Sequence, residues 1–297
     1  MFDLRYHVTS LAAVFIALVI GILVGVALAS HGLGNTERKS LEDDVRRAQN
    51  RVDALKARVD ALQQSGAASQ TFVDSTYSAL MSDRLKGKRI AVLFVGSVDH
   101  GTESDIATAI KDAGGRAALR EYAVQVPIDA AAIEQRLASR PALAKYSSDD
   151  QLRNLGRQLG REFVGGNDTP LWNALRNLIV QEATPRFGAS RRPADGVIVV
   201  RTADPQMGQT APFVIGLYEG LADAGVPAAG VAQSTSDFTA RPVFQQSQLS
   251  TVDDIDLEAG KLALAIVLSE PASRADYGVK THDLLPPVTP PAATSSG

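Results

Sequence analysis

Three carboxylates fall within four residues at Asp253, Asp254 and Asp256, inside the stretch Ser250-Thr251-Val252-Asp253-Asp254-Ile255-Asp256. Closely spaced carboxylates are the ligands that hard cations such as Ca²⁺ and Mg²⁺ take. No glycine sits inside the stretch to wrap a loop around an ion, so the competing reading is a capping loop that precedes a strand. A second candidate is Gly96-Ser97-Val98-Asp99-His100-Gly101-Thr102-Glu103-Ser104, which follows an apolar run and lies where a dinucleotide-binding loop would lie. It does not match GxGxxG, and the chain has no P-loop signature. Asp99 and Glu103 would repel phosphate, which favours a solvated loop.

Soft-metal chemistry is sparsely supplied. The histidines are His7, His31, His100 and His282, the methionines Met1, Met81 and Met207, and there is no cysteine. Cu(I) prefers Cys or Met and Cu(II) clustered imidazoles. None of these residues forms a pair at ligand spacing, so copper has no preformed ligand cluster. There is no GxSxG, and no Ser/His/Asp set stands out. The expectation is a protein without a catalytic site or cofactor.

The elements that must position these residues follow from composition and pattern. The 297-residue chain is 45% hydrophobic and 21% charged, which fits a folded domain with extensions. A net charge of -3 gives no electrostatic case for nucleic acid. Val8 to Ser30 carries no charge. That exceeds the roughly 20 helical residues that a bilayer core requires, and a lone span must be a helix to satisfy its own backbone. Leu11, Phe15 and Leu18 lie in this run, with small residues every fourth position at Ala17, Gly21, Gly25 and Ala29. Gly21 and Gly25 form a GxxxG, which permits close helix pairing. The other reading of the segment is a cleaved signal peptide, with Arg5 and His7 in front and Ala27-Leu28-Ala29 as the cleavage site.

Next comes a heptad seam: Leu41, Val45, Ala48, Val52, Leu55, Val59 and Leu62 alternate in steps of four and three. Val45, Val52 and Val59 fall at a; Leu41, Leu55 and Leu62 fall at d, with Ala48 the weak d. β-Branched a with Leu at d favours a parallel two-stranded coil. The alternative is an amphipathic helix packed on its own domain. In a parallel homodimer Arg51 would face Lys56, Arg58 would face Gln63 and Asp44 would face Gln49. No attractive flanking pair results, which leaves room for a different chain as partner.

Residues 86–284 read as an α/β domain with a mostly parallel, Rossmann-like sheet of about five strands and helices on both faces. Arg89 to Val95 is a continuous apolar run typical of a strand buried on both sides. Ser104 to Ala113 reads as a helix stopped by Gly114-Gly115, and Ala117 to Tyr122 as a second strand. Leu152, Leu155, Leu159 and Phe163 share a helical face. Thr169-Pro170 opens a further helix with Leu171, Leu175 and Leu178 inward. Val197 to Arg201, Ala228 to Gln233 and Leu262 to Leu268 read as strands. Pro212 to Ala224 reads as a helix capped by Thr210 and stopped by Gly225. The whole divides into an anchor at 1–31, a coil at 36–64, a connector at 65–85, the domain at 86–284 and a disordered proline-rich tail at 285–297.

Two stretches carry a resemblance to a known family. One is Ser10-Leu11-Ala12-Ala13-Val14-Phe15-Ile16-Ala17-Leu18 with Gly21 and Gly25 behind it. The other is Ser250 to Asp256, then Gly260, then Tyr277-Gly278. With the order span, coil and α/β domain, they resemble the MctB family of mycobacterial copper transport proteins. The resemblance implies a role in copper homeostasis at the cell envelope, with the soluble domain outside the cytoplasm. The family also looks to include the SteB cell-separation proteins, which act with a membrane partner, SteA; for those, the coil would be the docking element. One helix cannot line a water-filled pore, and no series of alternating strands reads as a lipid-facing barrel. Arg38, Lys39, Arg46 and Arg47 after the span, against Arg5 before it, would by themselves place the domain in the cytoplasm. The expectation followed here is the extracytoplasmic placement that the resemblance implies.

Overall fold

A computed structural model describes residues 4–31, 34–184, 191–270, 274–281 and 283–287. The chain divides into two units, Met1–Gln70 and Thr71–Gly297. In the first, α1 spans Leu4–His31. Its window Ser10–Ala27 is long and apolar enough to cross a membrane, and its side chains there are exposed. Helix α2 spans Gly34–Met81 without a break, so its last turns belong to the second unit. The connector expected over 65–85 is therefore helix as far as Met81. The polar start at Gln63 to Gln70 contains no proline, and a single Gly66 weakens a helix by only about 1 kcal/mol.

The second unit is built on one seven-stranded sheet in the order β3-β2-β1-β4-β5-β6-β7. The strands are β1 Ile90–Val95, β2 Arg120–Val124, β3 Val180–Thr184, β4 Gly196–Arg201, β5 Ala228–Val231, β6 Ser250–Val252 and β7 Asp276–Tyr277. Only β3 runs antiparallel to its neighbour. The helices of this unit are α3 His100–Asp112, α4 Ala130–Ala138, α5 Leu152–Gly165, α6 Pro170–Ile179, α7 Thr210–Ala222, α8 Arg241–Gln246 and α9 Glu258–Ser269. Central strand β1 shows why the sheet carries helices on both faces. Ala91, Leu93 and Val95 pack with α4 to α8 on one side. Ile90, Val92 and Phe94 pack with Met81, α3 and α9 on the other. Side chains alternate across a strand, so a strand covered twice must be apolar throughout.

Several expectations are corrected by this sheet. Leu262 to Leu268 is part of helix α9 and not a strand. Every residue of that run is buried or nearly so, which erases the periodicity that separates helix from strand; its length and its alanines decide for helix. The second strand lies at Arg120–Val124, later than Ala117 to Tyr122. Thr210 is the first helical residue of α7, and its hydroxyl accepts from the Ile128 amide at 3.2 Å instead of capping. The sheet gains three strands, β6 inside it and β3 and β7 at its edges. The proline-rich tail from residue 288 onward lies outside the described residues.

Helices α5 and α7 meet through four glycines. A Cβ added at Gly156 would lie 2.1 Å from the Phe213 carbonyl oxygen, and one at Gly160 would lie 2.5 Å from that of Leu217. On the other helix, Cβ atoms at Gly216 and Gly220 would each lie 2.0 Å from the carbonyls of Arg153 and Arg157. Contact positions rise together along both helices, so the pair is parallel and its backbones touch. Glycine allows this approach because it presents no side chain. A ladder of ion pairs flanks the seam: Arg157 meets Glu219 at 2.5 Å, Arg161 meets Asp223 at 3.0 Å, and Arg153 also pairs with Glu219.

Gly156→Ala and Gly216→Ala should each destabilise the fold by about 2 kcal/mol or more, because neither backbone can retreat without opening the core. Gly165→Ala, with nothing within 4 Å of its added methyl, should be neutral or slightly stabilising. Urea denaturation midpoints of the three variants check this.

Candidate functional site

The acidic stretch straddles the end of a strand. Ser250, Thr251 and Val252 are strand β6, paired with β5 and β7. The Thr251 hydroxyl donates to Asp276 Oδ1 at 2.5 Å. The stretch is thus not a loop that precedes a strand: its first half is a strand, and its second half turns into helix α9. Asp253, Asp254 and Asp256 occupy that turn, and the backbone sends each to a different environment.

Asp253 is fully buried and pairs with the Arg241 guanidinium, while its Oδ1 accepts from the Lys280 amide at 3.3 Å. Arg241 also lies 5.3 Å over the Phe238 ring. Gly278, at φ +128, closes over this carboxylate: a Cβ there would lie 2.1 Å from Asp253 Oδ1. Asp256 accepts from the Ser234 amide and hydroxyl, each at 2.6 Å. Burial works to raise the Asp256 carboxyl, yet the two Ser234 bonds hold it below the usual carboxylate range. Lys261 donates to the Asp256 carbonyl at 3.2 Å.

Asp254 differs from both. It is fully buried, and neither carboxylate oxygen has a hydrogen-bond partner among the described residues. Gly260 of α9 presses on it, since a Cβ there would lie 2.0 Å from the Asp254 carbonyl oxygen and 2.5 Å from Oδ1. Burial, reinforced by the charges of Asp253 and Asp256, raises the Asp254 carboxyl to about 7. The three carboxylates therefore do not converge as a hard-cation site. Among the described residues no group of three or more His, Cys, Asp or Glu could hold a metal ion.

The loop after β1 lies at the carboxyl ends of the parallel strands, as expected. Gly96 needs its φ of +112, and a Cβ there would lie 2.5 Å from Thr202 Oγ1 of the loop after β4. Thr202 Oγ1 donates to the Ser97 carbonyl at 2.6 Å. Asp99 caps α3, accepting from the Thr102 amide at 3.0 Å and from its hydroxyl at 2.5 Å. The Thr102 hydroxyl and amide hold the Asp99 carboxyl below the usual range. A carboxylate thus occupies the helix N-terminus where a nucleotide phosphate would sit.

The positions of the expected seam are all exposed on α2: Leu41 by 64%, Val52 by 47% and Leu62 by 64%, with Val45, Ala48, Leu55 and Val59 alike. Leu11, Phe15, Leu18, Gly21 and Gly25 of α1 are exposed too, with nothing within 4 Å of a Cβ added at either glycine.

The family described as "Copper transport outer membrane protein, MctB" matches residues 1–286. The chain belongs to the MctB family. Proteins named "Copper transporter MctB" from Mycobacterium bovis and Mycobacterium tuberculosis are 25% identical to it over 304 residues. The match covers 91% of this chain and 93% of theirs. The family resemblance carried by the two end motifs is thus extended across the dissimilar middle.

For this MctB family member the structure explains the second motif. Gly260 and Gly278 are the residues that let backbone close on Asp254 and Asp253. Arg241, the counter-ion of Asp253, carries no sequence signal, because it lies on a separate helix and becomes a partner only through the fold.

Asp254 makes stability depend on pH. Its carboxyl titrates near 7 when folded and near 3.9 when unfolded. Between these values the folded state holds the extra proton, so stability falls as pH rises towards 7, by up to about 1.4 kcal/mol per pH unit. Asp254→Asn should remove that slope and make the protein relatively more stable at pH 8 than at pH 5.5, compared with the unaltered chain. Urea titrations at the two pH values read the difference.

Proposed function

We propose that this chain is a non-catalytic, membrane-anchored protein of the cell envelope that serves copper homeostasis by assembling with other chains. The match to the MctB family along 1–286 carries this reading. Helix α1 would serve as the single-pass anchor, and residues 86–284 would form the domain outside the cytoplasm. Copper would be the cargo of the assembly rather than a resident cofactor. The acidic turn uses Asp253 and Asp256 for internal contacts, and one helix cannot line an aqueous pore.

Assembly would run through residues 36–64. Seven exposed apolar positions at heptad spacing form a stripe that water solvates poorly, and a second helix would cover it. The flanking residues favour a different chain over a copy. Asp44 is already paired with Arg47 at 2.6 Å on the same helix, and Arg51 would repel Lys56 of a parallel copy. This specific feature supports a second reading, a scaffold for cell separation that acts with a membrane partner in the manner of SteB with SteA.

The test is complementation of a strain lacking the gene. Val52→Asp with Leu55→Asp introduces two charges into the seam and should abolish capture of the partner from solubilised membranes. It should also fail to restore copper tolerance and normal cell copper content, which the unaltered gene restores. Copper content that is unchanged by deletion would overturn the copper reading; lost capture with a cell-separation defect would then leave the scaffold. Retained capture would overturn assembly through this seam.

A further inference from the structure

Arg120 opens strand β2 and is 2% exposed, yet among the described residues no carboxylate forms an ion pair with it. Its guanidinium donates to two backbone carbonyls, those of Phe163 and Arg192, and its Nε has no partner among the described residues. Carbonyl oxygens satisfy hydrogen bonds but supply no net negative charge. Burying a cation on those terms is costly, and such groups are ordinarily paired with an anion. Burial lowers the guanidinium's affinity for its proton, and nearby Arg89, itself paired with Asp195 at 2.8 Å, adds repulsion.

This unpaired cation lines a cleft of about 180 Å³ together with Glu162, Thr169, Trp172, Asn173 and Arg191. The acid closest in role is not a counter-ion for Arg120. Glu162 accepts from the Leu171 amide at 3.0 Å and the Trp172 amide at 3.3 Å, and so serves the first turn of α6. Burial raises its carboxyl to about 7, so much of it is neutral at that pH. Asp168 also lines the cleft. The floor is aromatic: the Tyr122 ring lies 5.4 Å from those of both Phe163 and Trp172, edge to face. Gly166, at φ +68, leaves the space that the guanidinium fills, since a Cβ there would lie 2.7 Å from Nη1.

We propose that this cleft binds a small oxyanion, a carboxylate or a phosphate, which supplies the missing counter-charge to Arg120. Its hydrogen-bond donors are the Thr169 hydroxyl, the Asn173 amide and the Arg191 guanidinium at the rim, while Arg120, sealed behind the wall, acts through its charge. The volume is below the roughly 300–1,000 Å³ of sites for larger ligands, so an anion of a few heavy atoms fits and a nucleotide does not. The site is separate from the acidic turn and from the loop after β1.

The only tryptophan of the chain, Trp172, lines the cleft, so its emission reports occupancy in the full-length protein in detergent micelles. Inorganic phosphate and acetate, each titrated against chloride at constant ionic strength, should give a saturable change, and the tighter of the two names the source. Arg120→Gln should weaken binding by about tenfold or more, through the loss of the buried positive charge. Asn173→Asp, an exposed change that leaves the core intact, should weaken it to a similar degree by placing a like charge beside the anion. The Asn173 variant decides alone if the Arg120 variant fails to fold. No saturable response to either anion, or equal binding by the Asn173→Asp variant and the unaltered protein, would overturn the proposal.

Discussion

Backbone contact between α5 and α7 is the constraint on which one half of the second unit depends. Most helix pairs are separated by side chains that can repack, at axial distances of about 8–10 Å. Here Gly156 and Gly160 face Gly216 and Gly220, and main-chain atoms meet directly. Such a seam has one solution, because there is no rotamer to adjust. Glu162 and Phe163 lie one turn beyond it on α5, and their positions follow from it. Trp172 is tied to the same helix by its Nε1, which donates to the Leu159 carbonyl at 2.8 Å. The aromatic floor, the first turn of α6 and the Arg120 cleft are therefore all referenced to a contact made of glycine.

Charge is handled differently beside α5 and α7 and at the end of β6. Around α5 and α7 the arginines and Asp223 sit half exposed at the rim, with Glu219 more buried, and exposed pairs of this kind contribute little singly. At the end of β6 the charges are sealed. Asp253 has Arg241, Asp256 has Ser234, and Asp254 has nothing. A buried carboxyl without a partner stays protonated rather than ionised. The same logic applied to Arg120 gives the opposite outcome, since a guanidinium cannot shed its proton at any ordinary pH and must find an anion instead.

Much of the domain was legible in the pattern of residues, and the failures have physical causes. β1 was readable because a strand covered on both faces must be apolar at every position. α5 was readable because Leu152, Leu155, Leu159 and Phe163 keep the 3.6-residue spacing of a half-buried helix. α9 was misread because full burial removes exactly that spacing's contrast. β3 follows α6 with no loop and carries polar Gln181 and Glu182, while β7 has two residues; edge strands this short or polar leave no signature. For the acidic turn, closeness along the chain does not make the side chains converge. Three carboxylates in four residues could be read, but their divergence to Arg241, to Ser234 and to no partner could not.

The edge at β7 limits how this protein can associate. Growth of a sheet from one molecule into the next needs a row of free backbone amides and carbonyls along a straight outer strand. Asp276–Tyr277 offers only two residues before Gly278 turns the chain away at φ +128. A neighbour docking there would find no template for continued strand pairing, so filament-like stacking through this margin is closed off. Main-chain pairing between molecules is left to the opposite edge, where β3 carries the polar Gln181 and Glu182.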